Sequence, residues 1–252
     1  MTDNALPLFY RTPEALRFED HRDLCLERRD DFSFARHTNA IPLPPSEFLP
    51  ASRDYPIVFA RGSDMPSPVA VTGFRARQNL FVTEQGHWKS GTYIPAYVRR
   101  YPFIIIQSQD QSHSVLGFDS SCNRIKATAQ ADDPIPLFEK DGAASPGAKQ
   151  AIDFCHNFHR SSLLGNELVK ELTAHDLLVE KSAEMTLVDK QRFRLDGFLV
   201  VDADRFRALP EDVVAAWHKK GFTDAVVLHL ASAQNWQRLV ELDILENGSA
   251  AA

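Results

Sequence analysis

Arg53-Asp54-Tyr55-Pro56-Ile57-Val58-Phe59 and, further on, Arg100-Tyr101-Pro102-Phe103-Ile104-Ile105 are the stretches on which the fold turns. In each, a Tyr-Pro pair precedes a run of β-branched and aromatic residues. Proline has no N–H to give to a ladder and belongs at a strand's first residue or edge, so each pair marks the entrance of a buried strand. Nothing else recurs at that spacing, which makes this an echo and not a repeat architecture.

Around these entrances the first half reads as short strands and turns. Tyr55 to Ala60 pairs with Val69 to Phe74 across a break made by Pro66 and Pro68. Asn79 to Thr83, Tyr101 to Gln107 and Ser114 to Asp119 have the same character, with turn chemistry at Gln85-Gly86 and from Gln107 to Ser112. A polar connector from Ala127 to Pro146 leads to a helix that Ser145 caps and Pro146 opens, with Ala151, Cys155, Phe158, Val169 and Leu172 near helical spacing. Gly165 is expected to split it in two. Met185–Val188 and Arg192–Val201 form a hairpin around Asp189-Lys190, and Pro210 opens a helix that Gly221 closes. Val226 to Leu230 reads as a buried strand, and Ser232 as the cap of a last helix carrying Trp236, Leu239 and Leu242. The expected class is α+β: a mostly antiparallel β-rich N-terminal half, a helical middle segment and a small mixed α/β C-terminal part. The expected division is a β-rich lobe at 1–135, a helical and α/β lobe at 136–245 packed on it, and a disordered tail at 246–252.

Composition narrows the classes of function. The 252 residues are 44% hydrophobic and 25% charged, which fits a folded body and argues against wholesale disorder. A net charge of −6 leaves no basic field for displacing counterions from nucleic acid. Cys25, Cys122 and Cys155 are odd in number and form no CxxC pair, so they read as reduced, buried thiols. Met1 to Pro7 lacks the basic and apolar regions of a secretory signal, and runs such as Phe103–Ile106 and Ala225–Leu228 are too short to span a bilayer. The expectation is a cytoplasmic protein with no transmembrane segment.

The order of motifs resembles one family. His21-Arg22-Asp23-Leu24, Phe34-Ala35-Arg36, Ile41-Pro42-Leu43, Glu47-Phe48 and Tyr55 to Phe59 are followed by Asn79-Leu80-Phe81 and Gly86-His87-Trp88. Then comes the unusual run Tyr93-Ile94-Pro95-Ala96-Tyr97-Val98-Arg99-Arg100-Tyr101-Pro102-Phe103. This order resembles the bacterial SapC family from about His21 to the His229–Ser232 segment. The resemblance implies an association with surface-layer protein export, from which the family takes its name. It also implies neighbouring genes for flavin-dependent halogenase-like proteins, cupin-like proteins and outer-membrane receptors. It implies no defined reaction and no cofactor.

Chemistry-bearing residues concentrate in that unusual run. Trp88, Tyr93, Tyr97 and Tyr101 stand beside Arg99 and Arg100, with Glu47 and Arg53 as further candidates. Guanidinium forks bind carboxylate or phosphate bidentately while rings supply area and stacking. The competing reading has the rings filling the core and an arginine paired with Glu47 or Asp54. His21 and Asp23, two apart on a strand, together with a distal His113, have the makings of a two-histidine-one-carboxylate iron site, with Arg124 as the grip for an oxo-acid. His156 and His159 share a helical face, and His229 to Ser232 is read as a helix start that attracts anions. There is no Gly-x-Ser-x-Gly elbow, Gly-x-Gly-x-x-Gly fingerprint or phosphate loop.

The leading expectation is therefore a non-enzymatic binding or accessory protein that holds a small anionic or aromatic ligand, or a protein partner, at the Trp88 to Tyr101 face. One rival is a non-haem iron oxygenase using His21, Asp23 and His113. Another is a structural partner in a surface-protein export or halogenase-associated complex.

Overall fold

The computed structural model describes residues 6–62, 64–107, 114–128, 132–186 and 192–247. In chain order the first elements are β1 (Pro13–Ala15), α1 (Phe18–His21), β2 (Leu24–Glu27), β3 (Ala40–Pro42), α2 (Phe48–Ala51), β4 (Ile57–Ala60) and β5 (Ser67–Val71). Next are α3 (Ala96–Arg99), β6 (Phe103–Gln107), β7 (Ser114–Asp119), β8 (Ile125–Ala127), β9 (Pro134–Pro136) and the long α4 (Pro146–Ala174). The remaining elements are β10 (Leu178–Thr186), β11 (Arg192–Val201), α5 (Ala203–Arg207), α6 (Glu211–Lys220), α7 (Phe222–Ser232) and α8 (Asn235–Asn247). The fold is α+β, and every strand pairing is antiparallel among the described residues. None of the helices, among the described residues, is long and apolar enough to cross a membrane. The expected Asp189-Lys190 turn and all of the expected tail beyond Asn247 lie outside the described residues.

The chain forms two compact units, each built from two stretches. The first runs to Asp31 and resumes at Val98–His159; the second is Phe32–Tyr97 with the residues from Arg160 onward. Both Tyr-Pro pairs stand where expected: Pro56 precedes β4 and Pro102, in a cis peptide, precedes β6.

The first unit has two three-stranded sheets, ordered β1-β7-β6 and β8-β2-β9. β9 lies within the stretch expected to be plain connector and pairs with β2 through Ile135 and Leu26. Phe103, Leu116, Phe118, Leu137 and Cys155 form the core, with Leu24, Leu26 and Ile105 packed against it. Asp119, wholly buried, ties β7 to the chain before β1. Its carboxylate accepts from the backbone N–H groups of Arg11 (2.9 Å), Thr12 (3.0 Å) and Ser121 (3.1 Å) and from the Ser121 hydroxyl (2.8 Å). Burial alone raises a carboxyl pKa, but these donors outweigh it and hold Asp119 below the ordinary aspartate value.

The second unit is organised on a five-stranded sheet of order β10-β11-β4-β5-β3. β4 is central and buried, as the Ile57-Val58-Phe59 run requires. The expected Asn79–Thr83 strand does not form; only Val82 makes a bridge, to Trp88. The Asn79 side chain accounts for this, because it donates to Ala35 O (3.1 Å) and accepts from Phe81 N–H (2.9 Å), giving the backbone a local alternative to a ladder.

Three helical expectations fare differently. Pro146 opens α4 and the Ser145 hydroxyl accepts from Ala148 N–H at 3.1 Å, as a cap does. Gly165 does not split α4; a Cβ there would lie 3.1 Å from Pro45 Cδ, so the glycine permits a close approach inside an unbroken helix. Gly221, at φ 75°, closes α6 as expected. The segment after it departs from expectation: Val226–Leu230 is not a strand but part of α7. Phe222, Ala225, Val226, His229 and Ser232 are buried at helical spacing while Val227 faces solvent, and a short apolar run does not by itself distinguish strand from helix.

This correction also moves His229 and Ser232. Both lie buried inside α7, so Ser232 does not cap the last helix and the segment is not an anion-attracting helix start. Register explains what they do. β11 pairs with β4 at Phe198↔Ala60 and Leu199↔Phe59, which would bring Val201 opposite Ile57. There the imidazole of His229 intervenes: Val201 N–H donates to Nε2 (3.0 Å), and Nδ1 lies 2.9 Å from Ile57 O. Because Nε2 accepts, the proton resides on Nδ1 and is donated to Ile57 O. Ser232 Oγ accepts from Ile57 N–H (2.9 Å) and donates to His229 O (2.6 Å). Burial drives the His229 pKa down to about 4, the bond to Ile57 O offsetting only part of that effect.

Two outcomes are expected. His229→Ala strands two buried peptide groups and lowers unfolding free energy by ~2–4 kcal/mol in urea titrations, whereas His229→Gln, with one donor and one acceptor, recovers part of the loss. The native imidazole stays neutral where the unfolded one, with its ordinary pKa of 6.5, takes up a proton. Stability therefore falls as pH drops from about 6.5 to about 4, and this slope flattens in His229→Gln. Asp119→Asn costs ~2–4 kcal/mol near neutral pH. The stabilisation from Asp119 is full above the ordinary aspartate pKa and lost as pH falls through its lower native value, so wild type and variant converge in acid.

Candidate functional site

The aromatic and arginine run divides between the two units: Trp88, Tyr93 and Tyr97 belong to the second, Arg99, Arg100 and Tyr101 to the first. In the second unit the side chains bond to one another and to nearby backbone. Glu47, buried at the end of a short 3-10 turn, accepts from the Tyr93 hydroxyl and from Ala96 N–H (2.8 Å) through Oε1. Asp54, 1% exposed, accepts from Tyr93 N–H (2.8 Å), Arg53 (3.1 Å) and Arg238 (2.7 Å). Arg53 also donates to Gly91 O at 3.1 Å. The Tyr55 hydroxyl donates to Tyr93 O and accepts from Trp88 Nε1 (3.2 Å), and burial raises its pKa. Trp88 and Tyr97 are 8% and 6% exposed. Rings packed inward are what the competing reading of the sequence expects; the arginines on Asp54 are Arg53 and Arg238 and not those of the aromatic run. Arg238, on α8, is a partner that sequence reasoning missed, and no local pattern links it to a carboxylate 184 residues away.

In the first unit the arginines line a hollow. A cavity of about 230 Å³ is bounded by Arg99, Arg100, Tyr101 and Arg124, by Leu26 and Leu137 of the core side, and by one face of α4. Gly147, Ala151, Phe154 and Cys155 present that face at positions i, i+4, i+7 and i+8. The guanidinium of Arg99 lies 5.2 Å from the Phe154 ring centre, and that of Arg100 lies 4.6 Å from Phe158 and 5.7 Å from Tyr10. Rings at these distances hold the planar forks in fixed orientation. Arg124 donates to Tyr101 O (2.7 Å) and Arg29 O (3.3 Å), which fixes it at the rim. The Tyr101 hydroxyl points away, to Asp119 (3.2 Å). Cys155 is buried, and its thiol is pushed up to about 11 by desolvation, the nearby Arg100 offsetting only part, so it is a packing group and not a thiolate. Among the described residues the lining carries three arginines and no carboxylate.

The metal candidates come together less. His21 ends α1 and Asp23 lies in the turn before β2, so the expected strand that would aim both one way is absent. The His21 ring accepts from Arg17 N–H at 3.0 Å and stacks edgewise on Phe118. His113 lies outside the described residues. His156 and His159 are at the surface of α4, and no group of three or more His, Cys, Asp or Glu side chains poised for a metal occurs among the described residues. The three cysteines are free and buried. The Ser232 hydroxyl is committed on both sides, to Ile57 N–H of β4 and to His229 O of α7.

No curated protein and no solved structure matches the chain. The family model described as SapC matches residues 16–239, and with most of its length covered the protein belongs to the SapC family.

Proposed function

We propose that this protein binds a small anionic ligand, held in the first unit by Arg99, Arg100 and Arg124. The observation that carries this reading is the lining of the 230 Å³ cavity, where three guanidinium groups meet apolar walls and no Asp or Glu stands among the described lining residues. Bidentate forks recognise carboxylate and phosphate by geometry as well as charge, and a partly enclosed, apolar setting strengthens each such bond. Two of the three forks are oriented by rings of Phe154, Phe158 and Tyr10, which lowers the ordering cost of binding. The apolar face of α4 favours a ligand with some hydrocarbon or ring surface beside its charge. In this reading the protein's role is to hold its ligand; among the described residues no nucleophile or base faces the cavity other than the Cys155 thiol, which stays protonated.

Thermal unfolding with citrate and pyrophosphate as probes tests the proposal. A ligand at 100 times its dissociation constant stabilises by ~2.7 kcal/mol, so millimolar probe is expected to raise Tm by several degrees. Arg100→Ala removes at least half of that shift, while Arg194→Ala, on the exposed β10–β11 hairpin of the other unit, leaves it intact. Absence of any shift with either anion, or an equal shift in Arg100→Ala, contradicts the reading.

A further inference from the structure

We propose a second ligand site in the other unit, one that takes a monocarboxylic acid with an apolar body. β4 and β11 stop pairing beyond Leu199↔Phe59, and the His229 ring sits between the backbone groups of Ile57 and Val201 that would otherwise bond directly. The parted strands open a cavity of about 460 Å³, which lies within the range of ~300–1,000 Å³ typical of small-molecule sites.

Its walls are mainly apolar, with Ser182 and Gln237 as neutral polar side chains among them. Val58 and Val200 come from the two strands, and Phe74, Phe198 and Trp236 form a continuous aromatic wall. The Trp236 ring centre is 5.5 Å from Phe198, with planes 28° apart, and 5.8 Å from Phe74. His229 adds no polar atom for a ligand, since both ring nitrogens are committed to the backbone.

Charge at the rim selects the head group. Among the described residues of the lining Lys181 is the one Lys or Arg; it is exposed and has no carboxylate within 4.0 Å, although it acts at longer range on Asp202. Glu184, the acidic group of the lining, is engaged by Arg194 at 3.1 Å. The β10–β11 register shifts between Lys181 and Ala183, a bulge that re-aims side chains at that edge. An apolar body against the aromatic wall with a carboxylate at the Lys181 ammonium satisfies both features. The site shares no residue with the arginine-lined cavity.

Calorimetric titration of the full chain with 2-naphthoate and decanoate, and with the neutral 2-naphthylmethanol and 1-decanol, tests this. At least one acid is expected to bind one-to-one with a dissociation constant below about 100 µM, a range in which single small-ligand sites ordinarily operate. The better of the two acids tells whether ring or chain is preferred. Lys181→Ala weakens the acid about fivefold, the scale of one exposed ion pair, and leaves the matching alcohol within twofold. Val200→Trp, which fills the cavity, abolishes binding; should that variant fail to give a native circular-dichroism spectrum, Ala233→Leu narrows the same space from the helix side and weakens both acid and alcohol. The proposal is overturned if neither acid binds saturably, if Lys181→Ala weakens acid and alcohol alike, or if the folded cavity-filling variant binds as wild type does.

Discussion

Between Val201 and Ile57 an imidazole ring does what a direct peptide hydrogen bond does elsewhere in the sheet. It accepts from one strand and donates to the other, and only the neutral, Nδ1-protonated tautomer can do both. A charged ring would present a donor to the Val201 N–H, and its desolvation would be uncompensated because no carboxylate accepts from either nitrogen. The strands of the second unit thus part without leaving backbone groups unpaired, and α7 is fastened to the central strand through His229 and Ser232 together. The cavity lined by Val58, Val200 and His229 lies beside this interruption of the sheet.

How much of this is legible beforehand depends on whether the cause is local. The Tyr-Pro entrances to β4 and β6, the Ser145-Pro146 opening of α4 and the Gly221 closure of α6 are local, since proline geometry and a left-handed glycine act within a few residues. Val226–Leu230 is also local but ambiguous as a bare apolar run; Phe222, Ala225, Val226, His229 and Ser232 taken at spacings of three and four carry the helical signal. The role of His229 is not legible at all, because its partners lie 172 and 28 residues away. The same holds for the candidate site. Arginine beside aromatic residues is visible in the sequence, and Arg99 and Arg100 do line a cavity; that Glu47, Asp54, Tyr55 and Tyr93 close on one another in the other unit results from long-range pairing, including Arg238.

The two cavities differ in how they could select a ligand. Three arginines in a small space favour charge and geometry, with two forks oriented by rings. The larger space offers area and one exposed ammonium. Membership of the SapC family names the lineage of the chain.

The most direct test of the account is nitrogen-15 NMR of the His229 ring across a pH titration. The account predicts one protonated Nδ1, an unprotonated Nε2 and no titration until pH approaches about 4. A ring that titrates near 6.5, or that carries its proton on Nε2 at neutral pH, would contradict it.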